Sequence, residues 1–169
     1  MSILCPYCGK EAALTTGNMI YPTRPDLAHK KFYRCRPCDA YVGCHGNTDR
    51  PLGTPANREL RGLRNRAHAA FDPLWKEGDM QLFNDRTGAY KWLSEQLGVP
   101  RSECHIAMFN IDQCKKVVEL CGRAHALSAD LIDLERRVDE LSGKQPSASL
   151  LNPARAASYE ARGMGWGAW

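Results

Sequence analysis

Two Cys-x-x-Cys pairs, Cys5 with Cys8 and Cys35 with Cys38, separated by 26 residues, constrain this chain more than any other feature. Two residues between cysteines let one tight turn aim both sulfurs at a single point. Two such turns supply the four ligands of tetrahedral Zn²⁺. In CPYCG, Pro6 fixes φ and Gly9 lets the chain leave the turn without steric cost. In CRPC, Pro37 plays a similar part. A redox pair would open a helix within a βαβ setting, and no such pattern surrounds either pair. The expectation is one structural Zn²⁺ held by Cys5, Cys8, Cys35 and Cys38, closed to water and therefore stabilising rather than catalytic. Cys44 and His45, in GCHG, lie close enough in sequence to stand as alternative ligands.

The chain has 43% hydrophobic residues, close to the globular norm, so part of it should bury a core. The first fifty residues are instead rich in Cys, Gly, Pro and aromatics, and a segment of that size does not build a sufficient core alone. Short β-prone runs at 13–20, 31–35 and 40–44, separated by turn residues, predict a small antiparallel β unit around the metal. The hydrophobic period then changes. Thr54 as cap and Pro55 as first helical residue open an Arg-rich helix over 54–75, stopped or kinked at Asp72-Pro73. A shorter helix carries Tyr90, Leu93 and Leu97, and Gly98 with Pro100 ends it. Another begins near Asn110, with Gln113 three residues on and an apolar face of Ile111, Cys114, Val117, Val118 and Cys121. Cys104, His105, Cys114 and Cys121 could be imagined as a second metal site. Cys114 and Cys121 lie seven residues apart on that apolar face, which favours packing, since a buried thiol behaves as a small hydrophobe.

These signals predict an α+β chain: a zinc ribbon over 1–53, a helical unit over 54–142, and a flexible tail over 143–169. Within the helical unit, 54–75 is the linking helix, 86–124 the helical core and 127–142 a separate helix. In that last helix Leu127, Leu131, Leu134, Val138 and Leu141 follow the 4-3-4-3 spacing of a coiled-coil seam. The seam can pack on the chain's own core, or join a partner or a second copy through 127–141. The Ser-, Ala-, Pro- and Gly-rich tail ends in GMGWGAW, where Trp166 and Trp169 either fold back or anchor a partner.

Charge separates along the chain. Residues 1–79 hold 12 Lys+Arg against 8 Asp+Glu, whereas residues 80–142 hold 8 against 10. The basic half points to an anionic partner. In HKKFYRCR, Lys30, Lys31, Arg34 and Arg36 interleave with Phe32 and Tyr33, a mixture suited to phosphates and stacked bases. Arg58, Arg61 and Arg64 extend this basic character along the next helix. DNA or RNA is thus the expected partner, with docking in an acidic protein groove as the alternative. A His-Asn-His type of nuclease could draw on His45, Asn57 or Asn65, and His68, but their order relative to the cysteine pairs suits that pattern poorly. No phosphate-binding loop, Gly-x-Ser-x-Gly or His-Glu-x-x-His occurs. The expected function is non-enzymatic. No run of 18 apolar residues predicts a membrane span and no apolar leader precedes Cys5, so the expected location is the cytoplasm, where thiols stay reduced.

CPYCG, CRPCDAYVGCH, PLGT and LRGLRNRAHAAFDPLW, followed by AYKWLSEQLGV and CHIAMF, resemble the zinc-finger-containing domain proteins of bacteriophages and prophages. The resemblance covers about residues 3–122. It implies zinc binding, carried here by Cys5, Cys8, Cys35 and Cys38, and a phage-encoded protein working in a bacterial cytoplasm. It implies no particular activity, and it leaves residues 123–169 outside; for a phage-encoded protein, the protein-docking alternative is a host complex such as RNA polymerase or a defence complex.

Overall fold

A computed structural model describes residues 3–46, 48–78 and 80–142. The expected tail at 143–169, with Trp166 and Trp169, lies outside the described residues. The chain divides into two compact units, Met1–Asn65 with His105–Ile111, and Arg66–Cys104 with Asp112–Trp169.

The first unit is built on an antiparallel sheet in the order β1 (Ala13–Thr16), β2 (Lys31–Cys35), β3 (Ala40–Gly43). Pairing runs from Ala13 opposite Arg34 to Thr16 opposite Lys31, and from Phe32 opposite Gly43 to Cys35 opposite Ala40. The period of two gives β2 two different faces. Tyr33 and Cys35 join Cys5, Ala12, Ala40 and Val42 in a small core. Phe32 belongs to the other face, where it meets Tyr21 and Tyr41 edge-on with ring centroids 5.8 and 6.2 Å away. The first strand is shorter than its β-prone run because Gly17 opens a single helical turn, α1 (Gly17–Ile20). That turn passes so close to the chain at Leu27 that a Cβ on Gly17 would lie 1.8 Å from the Leu27 carbonyl oxygen, so only glycine fits.

The Arg-rich helix, α2, spans Arg58–Phe71. Its start differs from the expectation of Thr54 as cap and Pro55 as first residue. Ala56 instead exchanges two hydrogen bonds with Tyr41, both 3.0 Å, which holds this stretch extended along β3. Asn57 takes over at the helix start, its Oδ1 accepting from the Leu60 N–H at 2.9 Å. The helix ends where Asp72-Pro73 was expected to end it, passing into a 3₁₀ turn over Asp72–Leu74.

The division between units falls within α2, after Asn65. In the second unit, α3 (Arg86–Leu97) is capped by Asp85, which accepts from the Gly88 N–H, and is closed by Gly98 at φ 64°. Helix α4 runs without a break over Ile111–Ser142. Two helices were expected here. One forms because residues 123–130 hold neither proline nor glycine and carry three alanines, so nothing interrupts the backbone ladder. The core collects Phe71, Leu74, Tyr90, Leu93, Val117, Leu120 and the fully buried Cys104, Cys114 and Cys121. No helix of the described residues is long and apolar enough to cross a membrane.

Candidate metal centre

Each cysteine pair sits on its own backbone turn. At the first, the Cys5 N–H donates to the Lys10 carbonyl (2.8 Å) and the Gly9 N–H to the Cys5 carbonyl (2.9 Å). Gly9 leaves with φ 69°. At the second, Cys35 ends β2 and the Asp39 N–H donates to the Arg36 carbonyl at 3.1 Å. Asp39 takes the left-handed conformation, φ 44°, at the place Gly9 holds in the first turn. Aspartate is one of the few side-chain-bearing residues that tolerates it.

The two turns bring Cys5, Cys8, Cys35 and Cys38 together, with all four Sγ atoms within 4.8 Å of one another. The Cys8 and Cys35 sulfurs are 3.6 Å apart. Sulfurs about 2.3 Å from a central zinc in a tetrahedron stand roughly 3.8 Å apart, so the quartet has the size of a zinc site. Disulfide sulfurs stand at about 2.05 Å, and all eight cysteines here are free thiols. The protonation energetics agree. The Lys10 backbone N–H and the neighbouring Cys38 hold the Cys8 thiol down at about 7. The adjacent Cys8 sulfur, with burial, pushes Cys38 up to about 12. Four sulfurs this close resist ionising together unless a cation joins them. The residues present therefore fit one structural Zn²⁺, which they hold with four thiolates and no open position for water.

Cys44 and His45 stand apart from the quartet. Cys44 packs beside the small core, where burial pushes its thiol up, and His45 is exposed. Cys104, Cys114 and Cys121 are 0% exposed and belong to the apolar core of the second unit. The residues nominated for a nuclease have other partners or lie open. Asn57 caps α2, Asn65 is exposed, and His68 Nδ1 lies 3.3 Å from Asp72, which also pairs with Lys76.

The basic residues near the centre fall into two sets. One set is committed internally. Arg64 is 8% exposed and donates to the Phe109 carbonyl at 2.9 and 3.1 Å, and to the Thr54 carbonyl and hydroxyl, each at 2.8 Å. Arg61 lies 3.9 Å above the Tyr41 ring and donates to Asp39 and to the Ala56 carbonyl. Arg34 donates to the Met19 carbonyl and pairs with Asp39; Lys31 pairs with Asp49 at 2.6 Å. Phe32 and Tyr33 are buried. The second set, Lys30, Arg36 and Arg58, is exposed. Lys10 and Arg50, which sequence reading passed over, are exposed too. Lys10 could have been found as the residue that closes the first knuckle. It lines an open groove with Glu11, Leu14, Arg34 and Arg36. The seam residues Leu131, Leu134, Val138 and Leu141 lie far along α4 and are exposed.

A three-stranded sheet closed by two cysteine knuckles around one tetrathiolate centre, followed by helices, defines a zinc-ribbon type of domain. The chain belongs to the family described as zinc-finger-containing domain, whose profile matches residues 1–124. No curated protein and no solved structure matches it.

Proposed function

We propose that the zinc unit is a non-enzymatic nucleic-acid-binding module, attaching to DNA or RNA through the exposed cations that surround its metal centre. The observation that carries this reading is the charge of the unit once its internal pairs are set aside. It holds 10 Lys+Arg against 5 Asp+Glu, while the second unit holds 13 against 14. Asp26, Asp39 and Asp49 are occupied by Arg24, Arg34, Arg61 and Lys31. Lys10, Lys30, Arg36, Arg50 and Arg58 remain exposed and form no ion pair among the described residues. Lys10 and Arg36 share a groove, a shape suited to a phosphate backbone. In this reading Arg61 and Arg64 support the scaffold. The zinc ion shapes the surface and takes no part in chemistry. The likeness of residues 3–122 to phage and prophage proteins supports a phage-encoded protein acting in a bacterial cytoplasm.

The test is titration of the zinc-loaded chain with short single- and double-stranded DNA and RNA at two salt concentrations. Four phosphate contacts to duplex DNA imply a loss of roughly a hundredfold between 50 and 200 mM salt. A variant with Lys30, Arg36 and Arg58 changed to Ala should lose that salt-dependent complex and keep its zinc. Binding that ignores salt, or none at all, overturns the reading. The rival, docking on a host protein complex, is favoured by the exposed leucines of α4. It predicts no nucleic-acid complex and capture of one host protein through residues 127–169.

A further inference from the structure

The C-terminal half of α4 carries an apolar seam that the described residues leave uncovered. The heptad register that places Val117 and Leu120 in the core, 0% and 4% exposed, continues through Ala124 into Leu127, Leu131, Leu134, Val138 and Leu141. These five are 48–90% exposed among the described residues. One helix therefore uses a single stripe twice, first inside its own unit and then facing outward. Such a row, at strict 4-3-4-3 spacing, is the seam one helix offers another.

We infer that this seam pairs with the same segment of a second copy of the chain, antiparallel. Antiparallel pairing sets each position of one repeat type against the other type. Centred between Leu131 and Leu134, it matches Leu131 with Leu134 of the second copy, Leu127 with its Val138, and Leu141 with its Ala124. Every apolar layer over residues 124–141, a rise of about 27 Å, is then filled.

Charge fixes the direction. Asp130 and Arg137 flank the seam on the same side, one residue before Leu131 and one before Val138. Both are exposed, and neither has an ion-pair partner among the described residues, in contrast to Asp133, which pairs with Arg136 at 2.6 Å. In the antiparallel dimer, like flanking positions face each other. Asp130 of each copy then meets Arg137 of the other, and symmetry gives the pair twice. In a parallel dimer Arg123 and Arg137 would face Ser128 and Ser142, which offer no countercharge. This inference is independent of the nucleic-acid reading, since it uses no residue of the zinc unit.

Sedimentation equilibrium of the zinc-loaded full chain, from micromolar to several hundred micromolar, tests it. A monomer–dimer equilibrium is expected. Leu131→Glu should abolish it while leaving helical content and zinc unchanged, because Leu131 lies outside the core. Asp130→Arg alone or Arg137→Asp alone should each weaken the dimer about tenfold, and the double exchange should restore it to within about threefold. A monomer at every concentration overturns the inference, whether another part of the chain or a different protein covers the seam. A dimer indifferent to Leu131→Glu overturns it too. A dimer lost with Leu131→Glu but not restored by the double exchange overturns the antiparallel direction.

Discussion

The two units solve the same folding problem with different materials, and cysteine shows the contrast best. In the first unit Cys5, Cys8, Cys35 and Cys38 converge to within 4.8 Å around a point where an ion fits. The side chains packed with them are few and mostly small: Ala12, Ala40, Val42 and one Tyr33. In the second unit Cys104, Cys114 and Cys121 are fully buried, unlike the exposed Cys8 and half-buried Cys38, and belong to an apolar core with Phe71, Leu74, Tyr90, Leu93 and Val117. The sheet around the cysteine knuckles is held by coordination, and the second unit by burial. A thiol becomes a ligand or a hydrophobe according to whether the backbone turns it toward other thiols.

The strongest way to break this contrast is to remove the metal. Cys35→Ser, or a strong chelator, should release the zinc and unfold the β unit, because structural zinc supplies on the order of 10 kcal/mol or more in small metal-dependent domains. Metal counting and circular dichroism should show one zinc per chain lost and most helix signal kept. Unchanged metal content in Cys35→Ser would sink the assignment. Acid should act in the same direction. Zinc binding displaces protons from the thiols, most reluctantly from Cys38, whose thiol is pushed up to about 12. Zinc is therefore held most tightly at alkaline pH and released as pH falls, which a chromogenic zinc indicator reads directly.

Phe71→Ala probes the other side. Phe71 is fully buried, with its ring 4.6 Å from that of Tyr90, so the change should cost about 3–5 kcal/mol. Denaturant melting followed by helix signal measures this, and zinc content should not move. A smaller but sharper effect is expected at Arg64. Arg64→Ala leaves the Phe109 and Thr54 carbonyls without their buried donor and should destabilise the chain by about 2–3 kcal/mol. Arg64→Lys should recover only part of that, since an ammonium does not reproduce the guanidinium fork. The smallest effect separates binding from folding. Arg36→Ala, at an exposed site, should change stability by no more than about 0.5 kcal/mol while weakening any salt-dependent nucleic-acid complex.

Thiol labelling sharpens the comparison from one further direction. Cys104 and Cys121 should stay unreactive in the folded chain, because burial removes access and pushes both thiols up, Cys121 to about 12. Cys8 is exposed, and metal removal should make it the first of the ligands to react, since its thiol is held at about 7.

What could be read from the sequence was what is local. The spacing of each cysteine pair, the glycine after the first knuckle, the stop at Asp72-Pro73 and the stop at Gly98 all act within a few residues, where chain connectivity does most of the positioning. The ligand quartet followed because tetrahedral zinc requires four donors and two such turns supply them. The fate of the basic residues was not local. Arg64 reads like Arg58 in the sequence, yet one is buried on a carbonyl 45 residues away and the other is open to water. Asp39 gave no sign that it would receive both Arg34 and Arg61. The helix start moved from Thr54 to Arg58 because Ala56 found Tyr41 across the sheet. Periodicity does not say which cation a fold will consume, because that depends on which distant carbonyls are left without a donor once the elements pack. The primary structure thus settled the metal and the elements around it, and the tertiary structure alone decided which charges remain for a partner.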